Sequence, residues 1–297
     1  MDTPKTLSVA KPVKLIGGDD IRGSGTTHPA AGAMTKMKNI GFALASFVLV
    51  LAVWQLTAAV VAAWRNVPFP TPWTTSLRLL GALGGDTLVD HTLYRHVIDS
   101  LGRWILAFLA AATSGVAFGL ATGWWRAAEK ITMPIVHILQ LVPGLAWIPV
   151  AILLFGVGEK ATFFMIALTV FAPVVINVVS GVKRVDVNYV RAARMLGAGR
   201  KALFLRVLLP GALPHILSGL RVGLGNGWRV LVAAEMIVGT GTGLGYAIVQ
   251  ARWTLDYAAA FVCIIVICLV GLATERLVFS PLEKKTVERW GLPHGEH

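Results

Sequence analysis

Six long apolar runs constrain this chain more than any motif does. They cover residues 40–64, 101–124, 131–155, 161–182, 216–238 and 257–278. As a helix rising 1.5 Å per residue, the first run spans about 37 Å, enough to cross the roughly 30 Å hydrocarbon core of a bilayer with some tilt. Only 14% of residues are charged, against about 25% in a soluble domain. Lipid is therefore the solvent for most of this sequence. A chain in lipid must satisfy its backbone internally, so the expectation is an all-α integral membrane protein with six transmembrane helices.

The remaining segments set the expected organisation. Residues 1–38 are polar and lack apolar periodicity, and read as a mobile cytoplasmic tail. Residues 39–279 read as the transmembrane domain, with its core at about 87–278 and a long inner loop at 183–215, and residues 280–297 read as a second cytoplasmic tail. The first run is too long for a signal peptide and lies too far from the N-terminus. Residues 73–83 suit a short amphipathic helix at the membrane surface. With the N-terminus inside, nineteen Lys and Arg fall on the inner segments and six on the outer ones, and Arg221 and Arg229 remain within the fifth run. That asymmetry places both termini and the 183–215 loop in the cytoplasm.

Charge and composition exclude several functions. The net charge of +12 sits in tails and loops, without the basic, aromatic-rich face of a nucleic-acid binder. Cys263 and Cys268 share one apolar run and point to different helix faces. No Cys/His cluster of the kind zinc requires is present, so no metal site is expected. The phosphate-loop pattern G-x-x-x-x-G-K-[ST] is absent. The glycine-rich stretch 239–245 lacks its lysine. The chain is expected to have no catalytic residue and to bind no cofactor.

The inner loop reads VRAARMLGAGRKALFLRVLLPGALP. A short helix ending near Met195 is expected to turn sharply at Gly197 and Gly199, because glycine accepts positive φ without steric penalty. A second helical piece follows, with Leu203, Phe204, Val207 and Leu208 alternating with Arg200, Lys201 and Arg206 until Pro210 closes it. On the residues alone, this apolar face meets either another protein or lipid headgroups. The segment resembles the cytoplasmic "EAA" loop of type I ATP-binding-cassette import permeases, E-A-A-x3-G-x9-I-x-L-P. Here Arg191, Ala192 and Ala193 are followed after three residues by Gly197, and after nine more by Val207, Leu208, Leu209 and Pro210. Every spacing matches. Arg191 replaces the acidic residue, so the family's acidic contact does not transfer to it.

The resemblance runs from about residue 87 to 278 and implies a MetI-like permease fold. It also implies that Arg191, Ala192, Ala193, Gly197, Ala202, Leu203, Phe204, Val207, Leu209 and Pro210 couple the chain to a separate ATPase. The stretch 143–149 (PGLAWIP) and the stretch 227–235 (GWRVLVAAE) are similar to the branch that imports nitrate, taurine, alkanesulfonates and bicarbonate, the taurine and alkanesulfonate permeases above all. The implied assembly is a homodimer of permeases with two ATPase subunits, which hold ATP and magnesium, and an extracytoplasmic solute-binding protein.

Polar groups inside spans face a cavity or a partner. Asn226 and Arg229 are read as lining a path for an anionic solute, or alternatively Arg229 as half of a structural ion pair. Trp228 and Glu235 are read with them as path or gate residues, and a structural hydrogen bond also suits Glu235. Pro134, Pro143 and Pro149 are expected to kink the third span, so that Pro143, Trp147 and Pro149 belong to a gate or to a packing kink. Gly223, Gly225 and Gly227 suit a close dimer or path interface. A secondary transporter is the alternative class, although no inverted repeat or set of intramembrane carboxylates supports it.

Overall fold

The computed structural model describes residues 29–65, 68–239, 241–279 and 281. The expected tails therefore fall mostly outside the described residues. Helix α1 covers Pro29–Arg65 and so begins inside the segment read as a polar tail. Ala30, Ala31, Ala33 and Met34 are good helix formers, which lets the turn of the apolar run propagate towards the N-terminus. Contacts divide the chain into two units within this helix, Met1–Trp54 and Gln55–His297. The first contributes the N-terminal part of α1, whose described side chains are exposed, Phe42 and Phe47 among them, except half-buried Leu51 and Trp54.

The second unit contains the rest. Helix α2 covers Pro72–Leu83 and is opened by Thr71, whose hydroxyl caps the amide of Thr74 in a reciprocal capping box. A two-residue hairpin, β1 (Thr87–Leu88) and β2 (His91–Thr92), leads into α3, Leu93–Trp124. Then come α4 (Arg126–Leu141), a 3-10 turn (Gly144–Trp147), α5 (Ile148–Phe155) and α6 (Glu159–Arg184). Helices α7 (Val187–Met195) and α8 (Arg200–Leu203) form the loop, and a π-turn (Phe204–Leu208) joins α8 to α9, Leu209–Val238. Helices α10 (Leu244–Trp253) and α11 (Tyr257–Thr274) follow, and a second π-turn (Glu275–Phe279) ends the described helices.

Among the described residues, five helices are long and apolar enough to cross a membrane, and the bent pair Arg126–Leu141 and Gly144–Phe155 makes a sixth when taken as one broken span. The expected third span is thus not a kinked rod. It folds over by 97° at its break. Pro143 cannot donate a backbone hydrogen bond and biases Val142 to extended backbone, which has ψ 118°. Pro149 sits at the start of α5, where a missing amide costs nothing, so it opens a helix rather than kinking one.

The core is built on α6. Its valines Val174, Val178 and Val182 face Gly115, Gly119 and Gly123 of α3, and a Cβ added at Gly119 would stand 2.8 Å from the Cβ of Val178. From the other side, Gly223 and Gly227 of α9 lie against Val170, and Gly219 against Asn177. Small residues let the backbones approach, and valines with one preferred χ1 fill the groove at little entropic cost. Gly223 and Gly227 therefore serve contacts within one chain rather than a dimer interface. Gly225 alone of the three is exposed.

Candidate functional site

The broken span creates the site. Where α4 gives way to the 3-10 turn, Gly144 is seated so closely that a Cβ would meet Thr169 Oγ1 at 2.5 Å and Val230 Cγ2 at 2.6 Å. Between this elbow, α6 and α9 lies a cavity of about 240 Å³. Its polar lining comes from Gln140, Thr169, Asn226 and Arg229, and Pro143 forms part of the wall. Arg229 donates from Nη2 to Asn226 Oδ1 at 2.8 Å, one helical turn away. It makes no ion pair among the described residues. Arg229 is exposed, within the membrane-length apolar helix Arg200–Val238. A bare cation inside a span requires water, a partner or an anion.

Three of the residues read as path-lining, Pro143, Asn226 and Arg229, thus meet in one cavity. Four do not. Trp147 packs onto the core. Pro149 lies beyond the elbow in α5. Trp228 is buried, its ring 4.8 Å from that of Trp104 and its indole N–H donating to the Ile267 carbonyl at 3.3 Å. One residue separates it from Asn226 and none from Arg229, so it points to another face of α9.

Glu235 is fully buried and belongs to a closed polar network at the far end of α9. Arg103 Nη1 donates to its Oε1 at 3.0 Å and to the Thr242 carbonyl at 2.9 Å. The amide of Gly245 donates to Oε2 at 3.0 Å. His96 accepts at Nδ1 from the Gly243 amide (3.1 Å), and its Nε2 lies 3.2 Å from the Leu88 carbonyl, so the ring is the neutral Nε2–H tautomer. The structural hydrogen bond expected of Glu235 is present, and the residue lies outside the cavity that Pro143, Asn226 and Arg229 share. Arg103 and His96 escaped sequence reading because Glu235, Thr242 and Gly243, which they meet here, lie 132 to 147 residues further along the chain.

The loop at the opposite end is a rigid turn. Asp186 caps α7 through the Asn188 amide at 2.8 Å. Gly197 has φ +78°, and the amides of Gly197 and Ala198 bond back to Arg194 and Ala193, a Schellman motif. Gly199 differs from expectation, since its φ is −69° and it opens α8. Pro210 does not close the helical piece. The π-turn widens the helix there, and the coil runs unbroken from Arg200 to Val238.

Exposure reverses the expected apolar face. Leu203 is buried, Phe204 stacks edge-on against Trp124 at 5.4 Å, and Val207, Leu209 and Pro210 are half-buried, as is Ala202. These side chains pack the loop onto its own chain. The exposed large apolar groups of the loop are Val187, Tyr189, Met195, Leu196 and Leu205, beside exposed Arg191, Ala192 and Gly197 and half-buried Ala193.

A bundle of membrane-length apolar helices with a polar cavity at a broken span fits a multi-pass membrane permease. The family described as "Binding-protein-dependent transport system inner membrane component" matches residues 114–279, and the chain belongs to it. It is 37% identical over 238 residues to the taurine transport system permease protein TauC of Escherichia coli (strain K12), covering 80% of this chain and 86% of that one. It is 34% identical over 246 residues to the nitrate import permease protein NrtB of Leptolyngbya laminosa, covering 82% and 86%. A crystal structure of an amino acid ABC transporter with histidines aligns with a TM-score of 0.52 at 18% identity, covering 73% of this chain and all of that one, a likeness of fold. Nothing in these comparisons supports a secondary transporter.

Proposed function

We propose that this chain, paired with a second copy of itself, forms the path of an ATP-driven importer for a small oxyanion. The observation that carries this reading is Arg229, a cation without a carboxylate partner among the described residues, lining a polar cavity within a span. Taurine and nitrate, named for two relatives, share an anionic oxygen cluster that a guanidinium and an amide bind well. Taurine and other alkanesulfonates, nitrate and bicarbonate are the candidate class.

Coupling follows from the loop. Tyr189, Met195 and Leu196 dock into a groove of a separate ATPase subunit, which holds ATP and magnesium. The continuous helix from Arg200 to Val238 carries displacement of the loop towards Arg229. Two ATPase subunits close on ATP and favour an outward-facing state, and hydrolysis restores the inward-facing one. The loop and both termini lie in the cytoplasm, and a solute-binding protein delivers from the other side.

The test is co-purification with an ATPase encoded nearby, followed by uptake in proteoliposomes containing the cognate binding protein. Arg229→Gln is expected to lower anion uptake at least tenfold while ATPase association persists. Unchanged uptake removes the path role of Arg229. Failure to associate with any ATPase removes the importer reading.

A further inference from the structure

A second cavity, of about 520 Å³, lies between α3, α5 and α6. Its walls are apolar: Leu106, Phe155, Phe163, Phe164 and Ala167, with the rings of Phe155 and Phe164 centred 5.2 Å apart. Leu106, Phe155 and Phe163 are exposed, so the crevice opens onto the side of the bundle. Along α6, the residues facing it (Phe163, Phe164, Ala167) and those facing the polar cavity (Leu168, Thr169, Ala172, Pro173) fall on roughly opposite sides of a helix that turns about 100° per residue. The crevice therefore does not belong to the path cavity.

Its charged residues, Arg103, Glu159 and Lys160, are gathered at one end, where Arg103 is already bonded to Glu159 and Glu235. Glu159 and Lys160 occupy the first turn of α6, where the span begins. One Glu159 oxygen receives Arg103 at 3.3 Å, while its side chain stays 73% exposed. Lys160 is exposed and makes no ion pair among the described residues. From Glu159 to Ala167 the groove runs about 12 Å along the helix axis, most of the depth of one leaflet's hydrocarbon, roughly 15 Å. Headgroup-level charges over an apolar groove of leaflet depth match one kind of occupant.

We infer that this crevice is a binding site for a zwitterionic aminophospholipid. One acyl chain lies along Leu106, Phe163 and Ala167. The phosphate meets the Lys160 ammonium, and the headgroup ammonium meets the free oxygen of Glu159. Bulk acyl chains solvate these apolar walls equally well, so selectivity over ordinary lipid comes from the headgroup pairs. The inference rests on the membrane architecture and is independent of which solute is carried.

The full-length protein, with the subunits that accompany it, is placed in nanodiscs containing phosphatidylethanolamine that carries a photoreactive acyl chain. Labelled residues are mapped by mass spectrometry, and exposed Leu272 of α11 reports bulk lipid. Labelling at Phe163 is expected to exceed that at Leu272 at least fivefold. Lys160→Ala, at an exposed position that does not threaten folding, is expected to cut the excess at least threefold, and Ala167→Trp to abolish it by filling the groove. Competition by unlabelled phosphatidylethanolamine is expected to exceed that by phosphatidylglycerol. Equal labelling at the two positions, no response to Lys160→Ala, or equal competition by the two lipids overturns the proposal. So does a Phe163→Cys variant that cross-links to a second copy of the chain and takes no lipid label.

Discussion

The Ser100 hydroxyl lies 2.8 and 2.9 Å from the two carboxylate oxygens of Glu235 and at the same time accepts the amide of Leu244 at 2.9 Å. One small side chain thus joins α3, the end of α9 and the start of α10. The carboxylate it serves has no exposed surface, so every partner of that charge counts towards stability.

Removing those partners grades the damage. Ser100→Ala deletes one hydrogen bond to a buried charge and is expected to cost about 1–3 kcal/mol. Arg103→Ala leaves the buried carboxylate without its cation and is expected to cost about 3–5 kcal/mol. Thermal unfolding of the purified protein in lipid should rank the wild type above Ser100→Ala and Ser100→Ala above Arg103→Ala. The reverse order for the two variants would show that the guanidinium is not the main partner.

The α3–α6 contact makes a sharper contrast. Gly119→Ala would place a Cβ 2.8 Å from that of Val178, whereas Gly102→Ala meets nothing within 4 Å. Overpacking of this kind costs about 1–3 kcal/mol, and the open site gains helix propensity. The melting temperature should fall for Gly119→Ala and hold or rise for Gly102→Ala.

In the loop, the two glycines are not equivalent. At φ +78°, Gly197→Ala is expected to cost about 1–2 kcal/mol locally, while Gly199→Ala sits at an ordinary φ of −69°. Limited proteolysis should cut the loop faster only in the first variant. ATP-driven uptake should fall with it, while the melting of the bundle stays put.

At the elbow, a side chain on Gly144 collides with Thr169 and Val230. Gly144→Ala is expected to displace the 3-10 turn and reduce uptake severalfold. Adding Thr169→Ala removes one of the two collisions and should restore part of the activity. No recovery in the double variant would place the defect elsewhere.

The sequence made some features visible and hid others for physical reasons. Apolar length alone reveals the spans, because a bilayer imposes its thickness on any helix that crosses it. The Gly197 turn is equally legible, since positive φ leaves a mark on residue choice. Pro143 suggests a kink where the structure has a sharp break, because proline says where a helix ends, not how far the next one swings. Leu203 and Phe204 show the limit of periodicity. It marks an apolar face, but not whether that face meets its own chain at Trp124 or a partner. Glu235 could be seen as expensive, yet nothing in its neighbourhood names Ser100 or Arg103.

The glycines of α3 and the valines of α6 both recur every four residues. Sliding one helix by four residues, about 6 Å, would set two of the three valines against glycines again. Such a ladder is a ruler without a zero mark: it fixes how close the helices stand but tolerates several alignments. The non-repeating contacts break the tie. The Trp104 indole reaches the Leu224 carbonyl at 3.2 Å, and Arg103 reaches Glu159 and Glu235, in one alignment only. As a lone polar residue does in a coiled coil, they index the bundle and keep the elbow level with Arg229.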